Sequence, residues 1–170
     1  MFLQNISFTF LIHLVMTSIM VGVIWVIQLV HYPSFHFIKL NMYTVFQKFH
    51  MEKISIIVIP VMVAELVTAF LLLYYEESRN TLLIISVIIL IFIWGITVVF
   101  FSGVHNKLMV GYNEIIVNHL VVMNWVRTLL WTMRLLLLFS FLIFRSDKWY
   151  KIILVFQSIE CYYVCLSIII

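Results

Sequence analysis

Long apolar stretches, each interrupted by very few polar residues, dominate this chain. They lie near residues 6–31, 54–75, 81–104 and 121–144. Each reaches the roughly 20 apolar residues that an α-helix needs to cross the hydrocarbon core of a bilayer. The pattern therefore predicts an all-α, polytopic membrane bundle with four transmembrane helices.

A fifth apolar stretch covers residues 152–170 and follows a polar run at residues 145–148. Its length permits a further span, but Glu160 lies near its middle, where a carboxylate is costly in hydrocarbon. Two interpretations stay open for this stretch: a fifth transmembrane helix, and a helix that lies at the membrane interface.

Composition supports the membrane class and limits the partners. The chain has 170 residues, 65% of them hydrophobic and only 10% charged, far from the averages of soluble proteins. With 2 prolines and 4 glycines, no linker divides it, so we expect one transmembrane domain over residues 1–170. The net charge of +3 is scattered, which predicts no nucleic-acid partner. We expect the lipid bilayer of an inner or plasma membrane as its surroundings. An oligomer, a larger membrane complex and the side that the N-terminus faces stay open.

Two segments between the apolar stretches are mixed in polarity and predict amphipathic connectors. Pro33 is expected to end the first helix. Apolar residues at helical spacing over residues 35–52 are typical of a helix in the headgroup region. Residues 105–119 form the second mixed segment. Helix three carries the fewest polar residues, so we expect it to face lipid and close the back of the bundle.

Histidines are concentrated on these two connectors and on the helix ends beside them. The connectors after helices one and three must lie on the same side of the membrane, because two crossings separate them. Five of the 6 histidines therefore gather at one face. Histidine is the commonest metal ligand, although interfacial histidines without a ligand role are the competing interpretation. The candidate metal ligands are His31, His36, His50, His105 and His119.

Two charged residues lie deep in the predicted bilayer. Glu65 is near the middle of helix two and Arg134 near the middle of helix four. Either charge alone costs roughly 2.5–3.5 kcal/mol on insertion scales, so residues at matching depth are natural partners. A structural ion pair is one interpretation. The other makes Glu65 a proton-carrying or substrate-facing carboxylate whose pKa is set by Arg134.

Helix four carries a polar stripe. Asn124, Arg127, Trp131 and Arg134 recur at intervals of three and four residues, so they share one face. Arg127 lies toward the histidine-rich side, and a guanidinium can hold a carboxylate or phosphate through two hydrogen bonds. Together with His13 on helix one, the stripe predicts a His- and Arg-lined pocket between helices one, two and four, open to the histidine-rich face. His13 itself is either bonded to a neighbouring helix or a ligand.

Several features lie in the first part of the chain. His13 and Trp25 in helix one are followed by His-Tyr-Pro at 31–33, by Phe-Gln-Lys-Phe-His-Met-Glu at 46–52 and by Ile-Pro-Val-Met at 59–62. In these features about a third of the chain resembles the integral-membrane protoporphyrinogen oxidase family and related small haem-associated membrane proteins. It lacks the Leu-Pro-Arg stretch that ends helix one in that family. The resemblance implies haem or porphyrin chemistry and assigns no residue a role.

Three functions are consistent with this sequence. The first is a haem- or metal-binding redox protein, the second a small proton-coupled transporter with Glu65, Arg134 and His13 as a relay. The third is a non-catalytic subunit or assembly factor of a membrane complex. Whether the chain is an enzyme stays open, with Glu65 and Arg134 as the candidate catalytic residues. For the first function the candidate cofactor-binding residues are His31, His105, His119 and His13, with Arg127 contacting an anionic group such as a propionate.

Overall fold

A computed structural model describes the backbone of residues 2–75 and 80–169, and the side chains of residues 8–75 and 80–144. Over these ranges the chain is helical apart from short connectors, and they contain no strand. The long helices are Phe2–Val26, Tyr43–Tyr75, Thr81–Ile96 and Glu114–Ile169. The predicted all-α class is confirmed.

Within the part whose side chains are described, 4 helical segments are long and apolar enough to cross a membrane. We number them spans 1 to 4: Phe8–Phe37, Leu40–Tyr75, Thr81–Leu108 and Glu114–Phe144. Their mean hydropathy lies between 1.7 and 3.1, which is typical of transmembrane helices. These spans agree with the four-helix bundle predicted from the sequence.

The distribution of side chains is the reverse of that in a soluble protein. Large apolar side chains such as Leu29 and Val99 are exposed on the outside, whereas Glu65 and Arg134 are fully buried. Outward apolar surface of this extent needs lipid rather than water as its solvent. The chain is a multi-pass membrane protein.

The fourth long helix continues well beyond span 4. Its backbone is helical from Glu114 to Ile169. Side chains after Phe144 lie outside the described part of the chain. Both interpretations of residues 152–170, a fifth span and a helix at the membrane interface, therefore stay predictions.

Span 1 continues through Pro33 rather than ending before it. A π turn, Ile27–His31, leads directly into a helical turn, Tyr32–Ser34, in which Pro33 occupies one of the first two positions. Proline is tolerated inside a membrane helix where a local π turn lets the freed backbone groups find other partners. The prediction that Pro33 ends the helix is therefore wrong, and the span reaches Phe37.

The two connectors at this end of the bundle are shorter than predicted. Helix Tyr43–Tyr75 is continuous, so residues 43–52 form its first turns rather than a separate surface helix. In span 3 a π turn, Thr97–Phe101, leads into helix Ser102–Leu108, and only residues 109–113 separate span 3 from span 4. The histidines of both segments therefore lie on the spans themselves.

Packing between neighbouring spans is uneven. Span 1 packs along spans 2 and 4, and span 4 packs along spans 1 and 3. Spans 2 and 3 contact each other near Asn80, where Ala69 and Leu72 of span 2 meet Val87 and Leu83 of span 3. They contact again at their opposite ends, around His105. Between these two contacts the spans separate and leave a cavity.

Candidate functional site

The buried polar side chains form two groups at different depths. The first group, called the inner network below, lies on spans 1, 2 and 4 and contains both charged residues predicted near mid-membrane. The second group, called the histidine cluster, lies where spans 1, 2 and 3 meet at the end remote from Asn80. The inner network consists of His13, Thr17, Glu65, Thr68, Trp131 and Arg134, and the histidine cluster of His31, Tyr32, Gln47, His50 and His105.

The Glu65 carboxylate is held by three side chains from two other spans. Arg134 forms an ion pair with it, and neither side chain is exposed to solvent. Thr17 donates its hydroxyl hydrogen to the same carboxylate oxygen at 2.8 Å, and the indole N–H of Trp131 donates to the other oxygen at 3.2 Å. The ion pair predicted from depth alone is therefore present, and its carboxylate has no further need of a partner.

Arg134 links the carboxylate to the two remaining spans. Its Nε–H donates to the backbone carbonyl of Ser86 on span 3 at 3.0 Å. Its Nη2 group donates to Nε2 of His13 on span 1 at 3.3 Å. One guanidinium thus bonds to spans 1, 2 and 3 from its position on span 4. This arrangement fixes the relative heights of all four spans.

The hydrogen bonds of His13 define its protonation state. The Thr68 hydroxyl donates its only hydrogen to a backbone carbonyl, that of Ala64 at 2.7 Å, so it must accept from His13 Nδ1 at 2.8 Å. His13 therefore carries its hydrogen on Nδ1 and accepts from Arg134 on Nε2. A neutral His13 is the form that satisfies every partner. Its ligand role, proposed from the sequence, has no free ring nitrogen in this arrangement.

The histidine cluster is built on the first turns of span 2 and on the ends of spans 1 and 3. His31 Nε2 and His50 Nδ1 are 2.6 Å apart. The rings of His50 and His105 have centroids 5.4 Å apart. His105 in turn uses both ring nitrogens, Nδ1 with the Gln47 amide nitrogen at 3.0 Å and Nε2 with the Tyr32 hydroxyl at 3.1 Å.

Three of the five histidines predicted to gather at one face belong to this cluster. The other two lie outside it: His36 is exposed and bonds the Tyr112 hydroxyl at 3.0 Å, and exposed His119 packs edge-on against Phe100. Within the described ranges, no group of three or more His, Cys, Asp or Glu side chains is close enough to hold a metal ion. The five candidate metal ligands are thus not assembled into one site.

Arg127 differs from Arg134 in having no carboxylate partner among the described side chains. It is only 4% exposed, and its Nε has no hydrogen-bond partner. The guanidinium lies 4.1 Å from the ring centre of Phe101 and 5.3 Å from that of Trp131. Stacking on aromatic faces offsets part of the cost of burying this charge, by about 0.5–2 kcal/mol per contact. It does not neutralise the charge.

A cavity of about 370 Å³ opens beside Arg127, between spans 2 and 3. Its walls are mostly apolar, and we call it the Arg127 cavity. The sequence predicted a pocket between helices one, two and four with helix three behind it. Spans 1, 2 and 4 do contribute to the cavity wall, with Tyr32 on span 1 and Arg127 on span 4. Its main walls are spans 2 and 3, so span 3 lines the cavity directly, because the inner network fills much of the interface between spans 1, 2 and 4. The lining residues are Ile27, Tyr32, Met51, Ile54, Ser55, Val58, Ile59, Met62, Trp94, Thr97, Val98, Phe101, Ser102, His105 and Arg127.

A second cavity, of about 390 Å³, lies on the opposite side of span 2, against span 1. His31 and His50 form part of its wall, and Lys53 lies at its edge above the Phe49 ring. A Cβ atom at Gly22 would meet no heavy atom within 4 Å, so this glycine borders open space rather than a close helix contact. Glu65, Arg134 and His13 line neither of the two cavities.

Buried polar atoms without hydrogen-bond partners are concentrated around the histidine cluster and the Arg127 cavity. They include Gln47 Oε1, His50 Nε2, Trp94 Nε1 and Arg127 Nε. Leaving a buried donor or acceptor unpaired costs about 1–3 kcal/mol, so such atoms require an explanation. A bound ligand provides one, whereas the inner network has few atoms that need a ligand.

Gln47 and Tyr32 belong to the histidine cluster, and the sequence singled out neither of them as a site residue. Gln47 was assigned to a connector in the headgroup region, although Tyr43, Gln47 and His50 recur at intervals of four and three residues and are all buried. That spacing is the helical-face signal that places them on one side of span 2. Tyr32 enters the sequence analysis only within His-Tyr-Pro at 31–33, and nothing in the pattern marks it as a site residue.

Comparison with protein-family models, with curated proteins and with solved structures finds no match to this chain. The fold and the site therefore define its class on their own. The described part of the chain is a bundle of four membrane-crossing helices, with Arg134 neutralised in its interior and Arg127 buried beside a cavity without a carboxylate partner.

The inner network makes a strong stability prediction. Glu65→Gln or Arg134→Met leaves one buried charge without its partner, so each should lower the free energy of unfolding by about 3–5 kcal/mol. The measurement is equilibrium unfolding in mixed detergent micelles. Glu114→Gln, at an exposed carboxylate on span 4, is the matched control and should change the stability by less than about 1 kcal/mol. A loss in Glu65→Gln no larger than that of the control would contradict the structural role.

Arg127 gives the opposite expectation. Because no carboxylate side chain depends on it, Arg127→Met should leave the free energy of unfolding unchanged within about 1 kcal/mol or raise it, when both proteins are first stripped of bound lipids and other ligands. The same unfolding experiment compares it with Arg134→Met. If both arginine variants were equally destabilised, Arg127 would have a structural partner that this account lacks.

Proposed function

We propose that this chain is a membrane-embedded binding protein for an anionic amphiphile, a molecule with an apolar body and a negatively charged group. The single observation that carries this proposal is the burial of Arg127 in the wall of an apolar cavity without a carboxylate partner. The inner network supports it by contrast, because there the same helix face supplies an arginine that is neutralised by Glu65.

The energetics favour a ligand as the missing counter-ion. A buried cation retains a large desolvation cost unless it is paired and hydrogen-bonded. A carboxylate or phosphate fits the fork of guanidinium donors and would use the Nε–H that has no partner. The Tyr32 hydroxyl lies beside the guanidinium at the same end of the cavity and adds one polar group next to that anion. His105 lines this end too, but both of its ring nitrogens are used within the histidine cluster.

The size and lining of the cavity agree with the same class of ligand. A volume of about 370 Å³ lies in the range of small-molecule sites, which are mostly apolar with a few placed polar groups. A small hydrophilic anion would leave most of this apolar wall uncovered. The ligand therefore needs an apolar body as well as a charge.

The test is the thermal unfolding midpoint of the purified protein in an uncharged detergent. The ligands are a fatty acid, a bile acid and a porphyrin dicarboxylate, each paired with its uncharged methyl ester. At least one acid, and not its ester, should raise the midpoint. At a ligand concentration of about a hundred times Kd, binding adds about 2.7 kcal/mol to the free energy of unfolding. Arg127→Met should lose this stabilisation, and His119→Ala on the outer surface should keep it. Acids that stabilise Arg127→Met as well as the native protein would overturn the proposal.

Haem is a second candidate ligand, and one observation favours it. His50 Nε2 is buried in the histidine cluster without a hydrogen-bond partner, so a ring nitrogen is available for an iron ion. His50 lines the second cavity, whereas Arg127 lines the Arg127 cavity, so the propionate contact predicted for Arg127 does not belong to this haem site. The ligand set predicted from the sequence fits less well, because His105 uses both ring nitrogens and His119 lies outside the cluster. Bound haem would supply one-electron redox chemistry.

An absorption spectrum with metal analysis tests this second candidate. Protein produced with an ample haem supply should show a haem band, and His50→Ala should abolish or shift it. His36→Ala is the control, since His36 is exposed and bonds Tyr112 instead. A colourless, iron-free native protein would eliminate haem and leave the broader proposal untouched.

A proton relay through Glu65, Arg134 and His13 has less support. Each of these groups is engaged by partners on other spans, and neither cavity reaches them. A relay needs a group that can gain or lose a proton while the path stays open. The geometry supports a structural role for the inner network.

A further inference from the structure

The Arg127 cavity is elongated along the membrane-spanning direction. Its wall on span 3 extends from Trp94 to His105, and its wall on span 2 from Met51 to Met62. Each stretch covers eleven residue steps, or roughly 16 Å at the rise of an α-helix. A cavity of about 370 Å³ drawn out over this length is a narrow slot.

Charge is confined to one end of the slot. Arg127, stacked on Phe101, lies at the end formed by Tyr32 and His105. The hydroxyls of Ser55 and Thr97 also line the wall, but each donates to a carbonyl of its own helix, at 2.6 and 2.7 Å. The rest of the wall therefore offers mainly apolar contacts, with the Trp94 indole at the other end.

The number of charges in the wall limits the charge of the ligand. Among the residues that line the slot, Arg127 is the one Lys or Arg, and no Asp or Glu accompanies it. A monoanion such as a carboxylate balances this single cation. A phosphate monoester, which carries close to two negative charges at neutral pH, would leave about one charge uncompensated in an apolar site.

The slot opens sideways between the two spans. Ile59 of span 2 and Val98 of span 3 line it and are 56% and 58% exposed, so they form its outer rim. The surface around this rim is apolar, with Ile56 and Val99 also exposed. In a membrane this opening faces lipid, which makes the bilayer the source of the ligand.

From these observations we infer that the slot binds a single-chain lipophilic carboxylic acid from the surrounding bilayer. The carboxylate pairs with Arg127, and the chain lies along the slot with its far end near Trp94. This inference rests on the proposed function and narrows its ligand class to a fatty-acid-like molecule.

Trp94 provides a direct reporter of this binding mode. The experiment uses the native protein in nanodiscs of uncharged phosphocholine lipid and dodecanoate with a bromine atom on its terminal carbon. A bromine atom quenches the fluorescence of a tryptophan that it contacts. We therefore expect the acid to quench tryptophan fluorescence saturably in the native protein, and this quenching to be lost in Trp94→Phe. Trp125→Phe should retain it, because Trp125 contacts Trp25 outside the slot.

The Arg127→Met variant tests whether the ligand needs its negative charge, which is a separate question from where its chain lies. In this variant half-maximal quenching should need at least tenfold more acid, and the methyl ester of the brominated chain should give no saturable quenching of the native protein. If the ester quenched the native protein as strongly as the acid, over the same range of concentration, both this inference and the proposed function would be contradicted.

Two other outcomes would overturn the inference alone. Arg127-dependent binding of the acid without quenching of Trp94 would place the chain outside the slot. A single-chain phosphate monoester that binds more tightly than the acid with the same chain would contradict the assignment to a monoanion. Either outcome leaves an anion site at Arg127 intact.

Discussion

The ion pair between Glu65 and Arg134 is the interaction on which the rest of this structure depends. Both charges lie fully buried in a bundle that is surrounded by apolar surface. Alone, either one would be unstable in hydrocarbon. Together with donors from Thr17 and Trp131, and with the Ser86 carbonyl, they form a closed set of hydrogen bonds across four spans. The apolar packing around them has no comparable means of fixing helix heights.

This pairing also explains why the two arginines of one helix face behave differently. Arg127 and Arg134 are seven residues apart, or roughly 10 Å along span 4, and point toward the interior on nearly the same side. Glu65 is fully used by Arg134, so it cannot neutralise Arg127 as well. The bundle is therefore tightly packed at the depth of the inner network. It opens into the Arg127 cavity where spans 2 and 3 diverge.

The sequence predicts much of this architecture because bilayer crossing imposes simple rules of length and polarity. Four spans, the pairing of Glu65 with Arg134 and the gathering of His31, His50 and His105 all follow from run lengths, depth and the parity of crossings. Other features depend on geometry that periodicity does not encode. The π turn before Pro33 keeps span 1 helical, and span 3 contributes to the inner network through the Ser86 backbone carbonyl, which any residue type has. The position of the cavity follows from where two helices diverge, and no local pattern records that.

We propose that the counter-ion of the buried Arg127 is a ligand and not a side chain of the protein. Native mass spectrometry of the protein released from an uncharged detergent tests this proposal most directly, with chemical extraction to identify any adduct. We expect one acidic, lipophilic adduct per native chain, absent from Arg127→Met and retained by His119→Ala. A native protein with the bare mass of its chain, or an adduct that Arg127→Met holds equally well, would contradict it.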